Sequence, residues 1–268
     1  MLNTHRPLRV AVLCSHRAPG LLYLLNRAPD RGAAFEIVCC VTSEQTFTEE
    51  VRVERRGIPS LVHPIRAFHE ARGVPLHRNP AARAEYDAAT LTLLAPYFAD
   101  VLLLDGYLYL VTATMLHAFP SRILNLHYSD LTLRHPDGRP QFPGIRAVRD
   151  ALAAGCTETR ATVHLVNDET DGGAPIVRSW PFPVSPLVAD LQSLGAPDVF
   201  KAYAYAHQQW MMRTVSGPLT AAALRLVATG AVDLDELALA RSGAPNTPWL
   251  LDPHNFLLAP EVELAEQH

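Results

Sequence analysis

Asn125 and His127 stand two residues apart at the end of an apolar run, and Asp171 opens an Asp-Gly-Gly turn well downstream. In an extended strand, residues 125 and 127 share a face while Leu126 points the other way. Asn125 can donate from its amide without titrating, and His127 can donate and also exchange protons near neutral pH. Asp171 can accept from the imidazole and, by opposite charge, favour its protonated form. An amide, an imidazole and a carboxylate at strand ends are the parts needed to move a one-carbon acyl group onto an amine: one group steadies the oxyanion and another handles the amine's protons. Taken singly, the same residue types cap turns and end strands.

Placing these residues requires strands that end together. Six apolar runs read as strands: Leu8 to Cys14, Phe35 to Ser43, Ser60 to Pro64, Asp100 to Asp105, Arg122 to His127 and Arg160 to Val166. Their apolar character is continuous rather than alternating, as in strands covered by helices on both faces. Helices are predicted at Gly20 to Ala28, Thr48 to Arg56, Pro80 to Tyr97, Thr112 to His117 and Ile145 to Ala154, with Asn79-Pro80 as a cap and first-turn pair. This alternation predicts an α/β class: a Rossmann-like, doubly wound, mostly parallel sheet flanked by helices. Ligands bind beyond the carboxyl ends of such strands, which points to residues 105–111 and 127–144.

After the Pro-rich segment Trp180 to Pro186 the pattern becomes helical from Pro197 to Gly230, with a break or kink predicted at Ser216-Gly217-Pro218. Residues from Gly243 onward, rich in proline, read as an extended tail packed on the body. Residues 1–186 are therefore expected to form a catalytic domain and 187–268 a C-terminal helical extension and tail. The helix bearing Tyr203, Tyr205, Trp210, Met211 and Met212 either covers the sheet or makes a homodimer face, and periodicity leaves both open.

The formal charge of −4 gives no basic bias, which argues against a nucleic-acid partner. No apolar segment of signal-peptide length precedes the first strand and no stretch is long enough to span a bilayer, so a soluble, cytoplasmic chain is expected. Cys14, Cys39, Cys40 and Cys156 lack paired metal-site spacing and read as reduced, mostly buried thiols; no metal site is expected.

Three ordered stretches together resemble the folate-dependent formyltransferases over about residues 8–183. They are Phe119 to His127 with its Asn-x-His pair, Phe142-Pro143-Gly144 with the helix after it, and Ala161 to Gly173 ending in the Asp-Gly-Gly turn. The resemblance implies Asn125, His127 and Asp171 as the catalytic trio, with His164 near the site. It implies 10-formyltetrahydrofolate as formyl donor, held largely by backbone groups of Tyr107, Leu108, Tyr109, Leu110 and Val111 and of Val166, Asn167 and Asp168.

The chain departs from members acting on glycinamide ribonucleotide at the first loop. Their Gly-rich phosphate cradle is replaced by Ser15-His16-Arg17-Ala18-Pro19-Gly20, in which proline removes a donor. His16 and Arg17 are the candidate contacts to a substrate anion there. The polar loop from Tyr128 to Gln141, with Arg134, His135, Asp137 and Arg139, is longer than in the family and is placed to shape an acceptor pocket. The expected activity is N-formyl transfer from 10-formyltetrahydrofolate to the primary amine of a small metabolite. The competing readings are glycinamide ribonucleotide formylation, formyltetrahydrofolate hydrolysis and non-catalytic folate binding.

Overall fold

The computed structural model describes residues 6–28, 31–76, 79–239 and 247–260. The chain runs β1 (Leu8–Cys14), α1 (Leu21–Asn26), β2 (Phe35–Thr42), α2 (Glu50–Glu54), β3 (Ser60–Val62), α3 (Ile65–Glu70) and α4 (Pro80–Leu94), then a 3-10 turn, Ala95–Tyr97. It continues with β4 (Val101–Leu104), α5 (Ala113–Ala118), β5 (Ile123–His127), α6 (Ala147–Ala153), β6 (Glu158–Thr159), β7 (Thr162–Leu165), β8 (Pro175–Ser179) and β9 (Phe182–Pro183). The C-terminal part holds α7 (Leu187–Ser193), α8 (Pro197–Ala228), α9 (Leu234–Leu239), β10 (Trp249–Leu251) and β11 (Leu257–Leu258).

Nine strands form one mostly parallel sheet in the order β11-β10-β8-β7-β5-β4-β1-β2-β3, and β6 pairs with β9 apart from it. The order reverses between β1 and β4, so the loops after these two strands separate and leave the crevice where such folds bind ligands. Alternation along β1 shows why the runs had to be continuously apolar. Val10, Val12 and Cys14 enter a large core on one face, with α1 and α8, while Ala11 and Leu13 enter a smaller core with Leu94 of α4 and Met115 of α5 on the other.

The sixth predicted strand is β7, and it runs antiparallel to β5. β8 and the C-terminal strands were not anticipated: β8 is short and opens on Pro175, and β10 joins it in parallel from the far end of the chain. The expected extended tail is thus partly sheet, and residues 240–246 and 261–268 lie outside the described residues.

Of the break or kink expected at Ser216-Gly217-Pro218, the break does not occur: α8 is continuous from Pro197 to Ala228 with Pro218 inside it. Packing on both sides outweighs the one N–H that proline lacks. Ser216 Oγ donates to Met212 O at 2.6 Å and accepts from Tyr128 at 2.8 Å. Gly217 lies so close to α1 that a Cβ there would sit 2.2 Å from Tyr23 Cβ. Gly217→Ala is accordingly expected to cost about 1–3 kcal/mol by overpacking. Urea denaturation measures this, and an unchanged midpoint would contradict such close packing.

The buried cysteines behave as small apolar residues. All four cysteines are free, Cys14, Cys39 and Cys40 buried and Cys156 half-buried, and burial drives the Cys39 thiol up to about 12. No helix among the described residues is long and apolar enough to cross a membrane.

Candidate active site

Sheet register builds the first part of the site. Asn125 on β5 pairs directly with His164 on β7, and His127 with Thr162, so Asn125, His127 and His164 are neighbours across an antiparallel pair. The Asn125 amide nitrogen lies 3.1 Å from His164 Nε2 and 3.4 Å from Asp171 Oδ1. His164 Nδ1 donates to the Leu165 carbonyl at 2.9 Å, which leaves its Nε2 free to accept from Asn125.

The loop between β7 and β8 carries Asp171 back over these strands. Asn167 Oδ1 accepts from Glu169 N at 3.1 Å, starting the turn, and Asp171 sits at φ 52, a left-handed conformation that Asp and Asn tolerate best among non-glycine residues. Gly173 packs on the end of β7, and Arg134 donates to the Gly172 carbonyl at 3.2 Å from behind. The long polar loop after β5 therefore braces the Asp171 turn. Asp171 Oδ2 in turn accepts from Gly144 N at 2.7 Å and lies 3.5 Å from His127 Nδ1, tying the Pro143-Gly144 turn to the imidazole.

Burial opposes the ionisation of Asp171, but its contacts to His164 and His127, whose protonation in acid makes them donors and cations, together with the Gly144 amide outweigh it and hold the carboxyl down at about 2. His127 behaves contrary to the sequence expectation. Asp171 does pull it towards the protonated form, but burial is larger and is aided by His164, so its pKa falls below the usual histidine value. The neutral ring is then mismatched: Nε2 faces the Phe142 carbonyl at 3.2 Å and Nδ1 faces the Asp171 carboxylate, two acceptors for one proton. A second proton on this ring would satisfy both, so the imidazole is neutral at rest and placed to accommodate a transient positive charge beside the Asp171 carboxylate.

These groups line one wall of a cavity of about 320 Å³. Tyr107, Leu108, Tyr109, Leu110, Val111, Val166, Asn167, Asp168 and His164 line it too, as do Tyr128, Gly144, Ile145, Gln208 and Met212. His16 and Arg17 do not: both are exposed, and His16 Nδ1 is 3.1 Å from Thr46 Oγ1. Gln208 and Met212 come from α8, whose contribution no local sequence pattern announces. The segment 107–112 is held by groups equally remote in sequence. Arg83 donates to the Leu110 carbonyl at 2.6 Å, Asp87 accepts from Thr112 N at 2.7 Å, and Ser15 Oγ accepts from Leu108 N at 3.0 Å.

At the β1 and β4 ends, the fully buried Asp105 accepts from Gly20 N at 2.9 and 3.2 Å. Burial, against the pull of the Gly20 and Leu21 amides and with help from the negative charge of Glu49, drives its carboxyl up to about 7. Because the folded state keeps a proton that the unfolded chain releases above its usual pKa of 3.8, stability falls as pH rises through that window, and the penalty is complete above about 7. Asparagine mimics the protonated form, so Asp105→Asn should raise the Tm more at about pH 8.5 than at about pH 5. Equal shifts at both pH values would contradict a carboxylate forced to ionise in the interior.

The family model described as formyl transferase matches residues 8–194. The Drosophila melanogaster trifunctional purine biosynthetic protein adenosine-3 is 30% identical over 181 residues, covering 67% of this chain but 12% of that protein. The phosphoribosylglycinamide formyltransferase of Haemophilus influenzae is 27% identical over 171 residues, 64% of this chain and 71% of the relative. The chain thus spans only a small part of its trifunctional relatives. Glycinamide ribonucleotide transformylase 1 from Symbiobacterium toebii superposes with a TM-score of 0.60 at 27% identity, covering 84% of this chain and 89% of that one. A formyltetrahydrofolate deformylase from Pseudomonas syringae shares the fold, with a TM-score of 0.63 at 21% identity. With its fold, its ordered motifs and the match over residues 8–194, the chain belongs to the formyl transferase family.

Proposed function

We propose that this protein is an N-formyltransferase that moves the formyl group of 10-formyltetrahydrofolate to the primary amine of a small metabolite. In this reading residues 1–186 form the catalytic domain and 187–268 a helical extension. The observation that carries it is the meeting of Asn125, His127 and Asp171 on one wall of a cavity edged by two backbone segments, 107–111 and 166–171. The cavity suits a flat, partly apolar donor: Leu108, Leu110 and Ile145 line it with largely exposed side chains, an arrangement that a bound ring system would cover.

When bound, the folate supplies an activated formyl carbonyl. Asn125 has both amide protons engaged, and the longer contact, to Asp171, is the one released when the amide turns to a carbonyl oxygen gaining negative charge. His127, neutral at rest, takes the proton shed by the attacking amine and passes it to the folate nitrogen as that nitrogen's bond to the formyl carbon breaks. Asp171 stays ionised throughout and stabilises the imidazolium while it exists. His164 positions Asn125 by accepting one of its protons.

Incubation of the protein with 10-formyltetrahydrofolate and a metabolite extract tests this reading. One amine is expected to gain the mass of a formyl group while tetrahydrofolate appears in equal amount. Tight folate binding with no formylated product across a broad amine panel would replace it with a binding role.

A further inference from the structure

The polar loop after β5 is a built hairpin. At its base Leu131 is fully buried and its N–H donates to Thr162 Oγ1 at 3.3 Å, while the half-buried Asp130 carboxylate pairs with Arg178 at 3.2 Å and Arg160 at 3.6 Å. Above the base the two arms pair antiparallel at Arg134 and Pro140. Gln141 N donates to the Leu133 carbonyl at 3.0 Å, and His135 N to the Arg139 carbonyl at 2.8 Å. The tip is a tight turn: Pro136 presets its own φ, and Gly138, at φ 85, takes the left-handed corner with its N–H on the His135 carbonyl at 2.9 Å. Anchored at the base and closed at the tip, the hairpin gives Arg134 a stiff arm to stand on.

The Arg134 guanidinium divides between that arm and the Asp171 turn. Nη1 donates to the Gly138 carbonyl at 2.7 Å, and Nη2 reaches across to the Gly172 carbonyl at 3.2 Å and the Gly173 carbonyl at 3.5 Å. Because the guanidinium is planar, fixing one nitrogen aims the other. Among the described residues, no other side chain donates to these two carbonyls. The turn needs such a hold: Asp171 is in the left-handed region, and the two residues after it are glycines, which constrain the backbone least. No ion pair joins Arg134 to the Asp171 carboxylate, whose contacts are Asn125, Gly144 N, His127 and His164. Arg134 thus acts on where the carboxylate sits.

We propose that Arg134 is a positioning residue for the transfer: by pinning the Gly172 and Gly173 carbonyls from the hairpin, it keeps the Asp171 carboxylate against His127. The inference rests on the formyl-transfer reading above and adds the element that maintains its 3.5 Å approach. Without the pin, the two-glycine turn relaxes and Asp171 draws back. The imidazolium formed during transfer then loses part of its compensating charge.

The test uses the full chain and Arg134→Met, which keeps an apolar stem and removes the fork. Tetrahydrofolate release is followed with 10-formyltetrahydrofolate as donor and a metabolite extract at fixed dilution as the amine source. The maximal rate is expected to fall roughly tenfold to thirtyfold, short of the ~10²-fold that a full 1 Å misplacement costs. The KM for the donor should stay within about threefold, because Arg83, Asp87 and Ser15 still hold segment 107–112. Arg134→Lys, with one ammonium in place of the fork, should recover part of the loss. NMR titration of His127 gives a readout that needs no catalysis. Burial lowers the pKa of this ring and His164 on β7 lowers it further, whereas Asp171 and the Phe142 carbonyl raise it. A receding Asp171 lets it fall, so the titration and the acid limb of the rate profile should both move to lower pH in Arg134→Met. A folded Arg134→Met protein with the wild-type rate overturns the inference and leaves formyl transfer standing. So does a loss of rate that only tracks the folded fraction measured by circular dichroism, with the His127 titration unmoved. Failure of the wild type to release tetrahydrofolate with any amine overturns the transfer reading and this inference with it.

Discussion

Asp171→Asn should lower turnover by about 10³-fold while the protein still folds, because it removes the one full charge that offsets a proton on His127. The substitution is a clean probe for a structural reason. Asparagine tolerates the left-handed backbone at φ 52, and its amide oxygen can still accept from Gly144 N. What it lacks is charge. The stability consequence follows from the same partners. A carboxyl held near 2 against its usual 3.8 contributes stability that is present above the unfolded pKa and lost as pH falls through about 2; with His127 neutral, the Gly144 and Asn125 amides are the partners that carry it at neutral pH. The variant should therefore melt a few degrees lower at neutral pH, with the difference shrinking as the acid limb is approached. Steady-state kinetics and thermal melts measure the two effects separately. Near-normal turnover in the folded variant would remove Asp171 from the chemistry.

Gly173→Ala, a change that removes no polar group, is expected to have the next largest effect. A Cβ at position 173 would lie 1.7 Å from the Leu165 carbonyl oxygen and 2.8 Å from its carbon, both backbone atoms at the end of β7. Leu165 is paired with Leu124 across the sheet, so the loop is the part that must yield. That loop carries Asp171 two residues away. A displacement near 1 Å at a positioned group costs about 10²-fold, and forced overpacking adds about 1–3 kcal/mol of instability. Because the Asp171 carboxylate is still present, the damage should appear as lost positioning: the His127–Asp171 approach lengthens beyond its present 3.5 Å. A crystal structure of the variant together with its kcat decides the matter. A wild-type loop with wild-type activity would show that this approach is looser than described.

The sheet was legible where physics leaves little choice. β1 matches its predicted span from Leu8 to Cys14, and β2, β4 and β5 match within a residue, because a strand buried on both faces must be apolar throughout. β8 and β10 carried too little signal: one is short and begins with proline, and the other joins the sheet from a proline-rich tail. The continuity of α8 through Pro218 was not legible, because proline's local cost is visible in the sequence and the packing of Gly217 on Tyr23 is not. In the candidate site, residue types and their i, i+2 spacing brought out Asn125 and His127. Their alignment with His164 depends on an antiparallel register that no local pattern encodes. The anchoring of segment 107–112 by Arg83 and Asp87, and the cavity wall supplied by Gln208 and Met212, are long-range facts of the same kind. The charge state of His127 went against expectation because attraction to Asp171 is visible from residue types, whereas the larger effect of burial is not.

Transfer of a 13C-labelled formyl group from 10-formyltetrahydrofolate to an amine, followed by NMR in the wild type and in a folded Asn125→Ala/His127→Ala/Asp171→Asn variant, bears most directly on the proposed chemistry. The wild type is expected to convert the donor resonance into that of a new formamide, and the variant to leave it untouched over the same period. Formamide appearing at the same rate in both proteins would place the reaction somewhere other than these three side chains.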